Sequence, residues 1–223
     1  MNTILEALPQ LWRGTQFTLL LTFLAAGLGA MGAVVIGITR LSPYPTLRWA
    51  ARVYVDFFRG TPLLAQLLMV YFGLPALGTR WGLGLNFDKL TAAVLTLSLN
   101  SAAYGAEIVR GSIQSIESGQ WEAAKSLGLS PRQTLRHVIF PQALRRMVPP
   151  LGNEFITLLK NTSLVAVIGY QELLREGQLI VARTYRSFEI YFAVTLIYLS
   201  LSSLASHGFT WLEYYLDPIR GKK

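Results

Sequence analysis

Four stretches of this chain, residues 17–38, 60–78, 90–106 and 190–212, contain no Asp, Glu, Lys or Arg. A helix rises about 1.5 Å per residue, so crossing roughly 30 Å of hydrocarbon takes about 17 to 25 residues. All four stretches fit that window as membrane spans. A fifth run, 147–169, has the right length but contains Glu154 and Lys160, which makes it either a functional span or no span. The charge deficit points the same way: 14% of residues are charged and 52% hydrophobic, with mean hydropathy +0.40, where a soluble domain carries about 25% charged residues. A soluble helical protein with buried helices is the alternative, but several charge-free runs of near-membrane length are rare in soluble domains.

The chain has no cysteine, which excludes disulfides and thiolate sites and leaves the redox compartment open. The net charge of +8 is not read as a nucleic-acid footprint, because in a polytopic chain such an excess collects in cytoplasmic loops. The apolar run before Arg40 exceeds the length of a secretory h-region, so it is kept as the first span. With the N-terminus outside, twelve Lys and Arg fall on the inner side: Arg40, Arg48, Arg52, Arg110, Lys125, Arg132, Arg136, Arg145, Arg146, Arg220, Lys222 and Lys223. Six fall outside: Arg13, Arg80, Lys89, Arg175, Arg183 and Arg186. Positive charge marks the cytoplasmic face. The expected fold is therefore an all-α polytopic membrane protein, a single domain over 1–223 with five transmembrane helices. The spans lie near 15–40, 53–78, 90–113, 147–169 and 189–213, with the N-terminus outside and the C-terminus cytoplasmic. Ile4, Leu8, Leu11 and Trp12 share one helical face, which suits a short helix on the outer surface or an extension of the first span. The outer loop 170–186 is mixed in charge and expected to be partly helical.

Between the third and fourth spans lies a cytoplasmic elbow, 114–146. Ser118 suits an N-cap and Gly128 the left-handed residue that ends a helix. Ser130-Pro131-Arg132-Gln133 then combines a serine cap, proline at the first helical position and glutamine three residues after the cap. The second helix is expected to end or kink near Pro141. Ala123 and Ala124 lack bulk and let a partner approach closely, while Glu122 and Lys125 are available to pair with it. On local physics the same elbow also reads as an ordinary helical connection.

Glu122-Ala123-Ala124, then Gly128, then Pro141 resembles the EAA loop of ATP-binding-cassette importer permeases. Val138 and Phe140 stand where that family has isoleucine and leucine, conservative departures that keep the apolar character. Four further segments, 59–64, 106–111, 140–146 and 161–164, resemble stretches typical of the family's polar amino acid branch (histidine, glutamate, glutamine and arginine type). The resemblance implies a permease whose residues Glu122, Ala123, Ala124 and Gly128 form the coupling helix against a separate ATPase. It further implies an ATPase dimer, a second homologous or identical permease subunit, an extracytoplasmic substrate-binding protein, an amino acid substrate and a location in the bacterial inner membrane. No cofactor or nucleic-acid partner is expected.

Ionisable groups cost about 2.5–3.5 kcal/mol to insert at a bilayer centre, so such groups face a cavity or a partner. Asn100, Tyr104 and Glu107 recur at i, i+4 and i+7, on one face of the third span. Asn100 falls roughly 15 Å deep, near the midplane, and Asn153 and Glu154 lie about 9–11 Å in from the inner side, so both faces can meet a substrate near the bilayer centre. An amino acid needs both acceptors and donors. Glu154 is the candidate for a cationic group, with Asn100, Tyr104, Asn153 and Gln66 lining the substrate pathway. Gln66 also reads as a helix–helix hydrogen bond. Glu107 with Arg110 and Asp56 with Arg59 read as structural pairs, and His207 as a lone helix contact. Gly27, Gly29, Gly32 and Gly37 allow close packing of the first span.

The chain has no Gly-x-x-x-x-Gly-Lys-Ser/Thr run, so it is not expected to hydrolyse ATP. The competing readings are a secondary transporter or ion channel using Glu154, and an intramembrane enzyme. The second would need clustered ligands or a nucleophile–base pair, and the two histidines, His137 and His207, lie far apart in sequence.

Overall fold

The computed structural model describes residues 2–216, with side chains from residue 5 onward. The side chain of Ile4 and the basic residues Arg220, Lys222 and Lys223 lie outside the described residues. The first helix, α1 (Asn2–Thr39), runs 38 residues, about 57 Å, well beyond a bilayer core. It absorbs the N-terminal segment as a continuous extension of the first span. The apolar face expected there is divided. Ala7 and Leu11 pack against Leu173, Ile180 and Ile190, whereas Leu8 and Trp12 stay exposed. The reason is tertiary: two later helices cover only one flank of α1.

The fifth helix, α5 (Lys89–Gln114), is the hub of the fold. It lies along α1 through small residues: Gly29 faces Ser101, Gly32 faces Ala102, Ala33 faces Gly105 and Gly37 faces Val109. A methyl group at Gly105 would sit 2.6 Å from the Ala33 Cβ, so the two backbones approach as closely as their side chains permit. Such close approach is how helices associate where the hydrophobic effect gives no preference for one neighbour over lipid. Gly27 faces open space and is not part of this seam. At the start of α5, Asp88 caps the helix by accepting from the Thr91 N–H at 3.3 Å, and the Thr91 side chain, with that N–H, holds its carboxyl below the usual carboxylate range.

The segment expected as one span over 53–78 contains a break. Helix α2 (Pro45–Gly60) ends in the extended residues Thr61 and Pro62 before α3 (Leu63–Leu68) begins. Proline disfavours helical geometry in the residue before it and cannot donate to the preceding turn. Helical geometry then persists through a π turn (Met69–Gly73) and α4 (Leu74–Arg80).

After α5 come α6 (Ser118–Ser126) and α7 (Pro131–Gln133), then a π turn (Thr134–Ile139) that leads directly into α8 (Phe140–Asn161). Helical geometry does not end at Pro141. The Phe140 N–H bonds the Leu135 carbonyl, five residues back, so the proline's missing donor falls where the hydrogen-bond register changes. Ser118 is the first residue of α6 rather than its cap, a role held by Glu117 without a side-chain bond. The Ser130–Gln133 capping box forms as expected. A 3₁₀ segment (Thr162–Ile168) follows α8 and closes at Gly169 (φ +75°), whose carbonyl accepts from Lys89 Nζ at 3.1 Å. Helix α9 (Leu173–Thr184) and α10 (Ser187–Leu216) complete the described chain.

Four described helical stretches are long and apolar enough to cross a membrane: Leu5–Thr39, Leu63–Arg80, Lys89–Gln114 and Ser187–Leu216. Besides the cluster of Ala7, Leu11, Leu173, Ile180 and Ile190 that joins the last of them to α1, two apolar clusters hold the fold together. One joins Leu21, Leu67, Val70, Leu97, Leu158 and Val165, and the other joins Val109, Ile113, Ile139, Ala143 and Met147 at the foot of the elbow.

Candidate coupling elbow and polar pathway

The elbow is a short exposed helix fixed to a rigid foot. In α6, Glu122, Ala123 and Lys125 face outward, and Leu127 is 80% exposed. Ala124, expected to admit a partner, is 2% exposed and packs within its own chain. Helical spacing puts Ala123 and Ala124 on different faces, and α6 packs against the π turn after α7 with Ala124 buried. Gly128 adopts φ +77°, its N–H donates to the Lys125 carbonyl at 3.0 Å, and Leu129 N–H reaches the Ala124 carbonyl at 3.1 Å. This left-handed close ends α6 sharply. Gln142 Nε2 donates to Gln120 Oε1 at 3.0 Å, and Arg146 donates to the hydroxyl of Ser115 at 3.1 Å. Both bonds tie the elbow to the first turns of α8.

The polar residues expected along the pathway fall into separate environments. Asn100 and Gln66 meet directly, with Asn100 Nδ2 donating to Gln66 Oε1 at 3.0 Å. Gln66 Nε2 donates to the carbonyls of Phe58 (2.9 Å) and Thr61 (3.1 Å), and Asn100 adds a 3.2 Å bond to the Phe58 carbonyl. Both side chains are buried, and their amides satisfy carbonyls freed by the break at Pro62. Tyr104 is 37% exposed, and its ring lies 5.3 Å beneath the Arg59 guanidinium. Asn153 is exposed on α8. Glu154 faces the other way, into a cavity of about 210 Å³ shared with Gly29, Ser101, Gly105 and Phe155. Asn100 does not line that cavity although Ser101 does, because neighbouring positions on α5 point about 100° apart, and Gln66 on α3 stays bonded to Asn100.

Glu107 pairs with Arg110 as expected, its carboxylate accepting from Arg110 Nε at 2.8 Å, and it also accepts from Arg40, just past the end of α1. Arg59 approaches the same carboxylate to 4.0 Å and makes no pair with Asp56. The i, i+3 spacing of Asp56 and Arg59 was a sound helical rule, but α2 turns Arg59 toward α5. The Arg40 contact spans 67 positions, and no local pattern could announce it. His207 lies on an exposed face of α10, its Nδ1 2.7 Å from the Ser203 carbonyl one turn back.

Sequence reading passed over one further cluster. Glu172 is fully buried at the N-cap of α9, where it accepts from the N–H groups of Leu174 (2.9 Å) and Arg175 (2.7 Å) and from Tyr198 Oη (2.7 Å). Burial pushes its carboxyl up from 4.5 to about 7. A carboxyl whose folded-state value is raised favours the fold most below its free value and loses that contribution as pH rises through the folded one. The thermal stability of the purified protein is therefore expected to fall between about pH 5 and pH 8, by up to about 3 kcal/mol. Glu172→Gln is expected to flatten that slope, as melting curves across the pH range would show. An unchanged slope in the variant would assign the pH dependence to other groups.

Known proteins share this architecture. Residues 27–218 match the family described as binding-protein-dependent transport system inner membrane component. The chain is 42% identical over 202 residues to the probable amino-acid ABC transporter permease protein YckA of Bacillus subtilis (strain 168), covering 91% of this chain and 87% of the relative. It is also 42% identical over 212 residues to the glutamine transport system permease protein GlnP of Escherichia coli (strain K12), covering 95% of each. A solved structure described as the crystal structure of an amino acid ABC transporter with histidines superposes with a TM-score of 0.88 at 39% identity, over 95% of this chain and 96% of that one. The chain therefore belongs to the binding-protein-dependent inner membrane component family: it is the permease subunit of an ATP-binding-cassette importer, whose ATPase is a separate subunit and whose cargo is delivered by a binding protein.

Proposed function

We propose that this permease carries polar amino acids across a bacterial inner membrane, with five spans, an outer N-terminus and a cytoplasmic C-terminus. The remaining span is 147–169, formed by most of α8 and the 3₁₀ segment after it, whose charges Glu154 and Lys160 keep it out of the simple apolar class. The elbow then lies inside the cell, and the exposed residues of 122–128, among them Glu122, Ala123, Lys125, Leu127 and Gly128, are the surface that the ATPase dimer moves. The observation that carries this reading is the mounting of α6: an exposed helix with a protruding Leu127, bonded through Gln120 to the foot of the helix that holds Glu154. Displacement of α6 is transmitted through α8 to the cavity. Labelling of single cysteines at position 122 and in the 170–186 loop of intact cells tests the orientation. Outer-face labelling of position 122 would overturn it.

Glu154 is the proposed cargo contact, with Ser101 beside it. Tyr104 and Asn153, both exposed, are the pathway residues free to face a second copy or a homologous permease. Asn100 and Gln66 serve the pathway by holding the α2–α3 break in shape. The names of the glutamine permease relative and of the structure with histidines support a polar amino acid cargo, and the carboxylate of Glu154 tilts the choice toward basic ones. Glu154→Gln is expected to lower uptake of a cationic amino acid roughly 10- to 100-fold more than uptake of a neutral one, the worth of a hydrogen bond to a charged group. Equal losses for both cargoes, measured in vesicles with ATP and the binding protein, would remove Glu154 from recognition.

A further inference from the structure

At the foot of α1, away from the outward face of α6, a cavity of about 650 Å³ opens between two unlike walls. One wall is apolar: Val34 and Ile38 from the last turns of α1, with Phe140 from the start of α8. The other is basic, with Arg132, Arg136 and His137 from the elbow. All three basic side chains are exposed, and among the described residues neither arginine has a carboxylate partner. Val34 and Ile38 lie within two turns of Arg40, which ends the apolar run of the first span. Their wall is thus continuous with the exposed apolar flank of α1 formed by Met31 and Val35.

We propose that this cavity is a binding site for an anionic phospholipid of the inner leaflet. Its headgroup phosphate lies between Arg132 and Arg136, and its acyl chain lies along Val34 and Ile38. A site with two free guanidinium groups and an apolar wall opening toward lipid matches one molecule that carries both chemistries. Guanidinium groups recognise phosphate oxygens by paired N–H donors. Cationic pockets at the cytoplasmic ends of spans hold lipid headgroups in this way, at about 1 kcal/mol per basic residue. A lipid held there would brace the π turn (Thr134–Ile139) on which α6 rests, so the surrounding membrane would set how firmly the elbow is supported. The placement in the inner leaflet rests on the proposed orientation, but binding itself does not.

The test is native mass spectrometry of the permease with its ATPase subunit in detergent, titrated with phosphatidylglycerol or with phosphatidylcholine. Micelles have no sidedness, so failure here would leave the proposed topology and transport function standing. The complex is expected to retain phosphatidylglycerol in preference to phosphatidylcholine. The double variant Arg132→Gln/Arg136→Gln should lower that affinity about 25-fold, at about fivefold per arginine. Arg145→Gln, which removes an equal charge from an exposed neighbouring position, should leave it unchanged, and melting curves confirm that each variant is folded. Unchanged lipid retention in the double variant would overturn the proposal, as would an equal loss in the Arg145 variant, which indicates general attraction only. Loss of the ATPase subunit with lipid retention intact would instead make the basic wall a protein contact.

Discussion

Gly105→Leu is expected to leave no stably folded permease. A Cβ at position 105 would meet the Ala33 Cβ at 2.6 Å, and a leucine would drive three further carbons into the same crossing. Packed interiors absorb little added volume, and overpacking costs about 1–3 kcal/mol even for small insertions. The crossing of α1 on α5 is the most extensive helix contact in the molecule, so the cost cannot be confined to one corner. Gly105→Ala provides the graded version, expected to lower stability by about 1–3 kcal/mol. Because Ala33 is, among the described residues, the sole residue outside α5 within 4 Å of that methyl group, Ala33→Gly in the same chain should restore most of the loss. Melting curves of the four purified proteins would check this. A leucine variant as stable as the parent, or an alanine variant unaffected by the second change, would show that α1 and α5 are not in contact through this seam.

Gly128→Val is expected to uncouple the transporter while leaving it assembled. The residue sits at φ +77°, where a side chain with a branched Cβ is strained, and among the described residues nothing beyond its chain neighbours lies within 4 Å of the position a Cβ would take. The substitution therefore acts on the backbone alone. Left-handed geometry costs a non-glycine residue about 1–2 kcal/mol, and asparagine tolerates it better than most. Relieving the strain turns the end of α6 and with it Leu127 and Glu122, the outward features that are proposed to meet the ATPase. ATP-driven uptake by reconstituted vesicles should fall more than tenfold with valine and much less with asparagine. Equal uptake by the two variants would mean that the geometry after α6 is not transmitted.

These two sites differ in how far a linear reading could reach them. Gly128 was legible because the signals for ending a helix are local: a glycine after the last turn, followed by a serine–proline start. The left-handed residue and the capping box both appear where those rules place them. At Gly105 the seam needed a partner, and the four first-span glycines read as packing residues proved unequal, since three face α5 and Gly27 faces open space. The elbow shows the same limit at Ala123 and Ala124, which look alike in sequence and which tertiary packing divides into an exposed and a buried residue.

Taken by itself, the chain's order of residues determined that the protein lives in a membrane, which four stretches are long and apolar enough to cross it, and where one short helix ends. Each of these follows from composition within a window of about 20 residues or from capping chemistry within one turn. Only the tertiary structure decided which polar residues share a space. It joined Asn100 to Gln66 around a broken helix, brought Arg40 across 67 positions to Glu107, and turned Glu154 into a different cavity. The physical reason is that a helix fixes the angle between its own side chains but not the direction its faces point. That direction comes from the packing of α1 on α5, and packing is a property of pairs of surfaces.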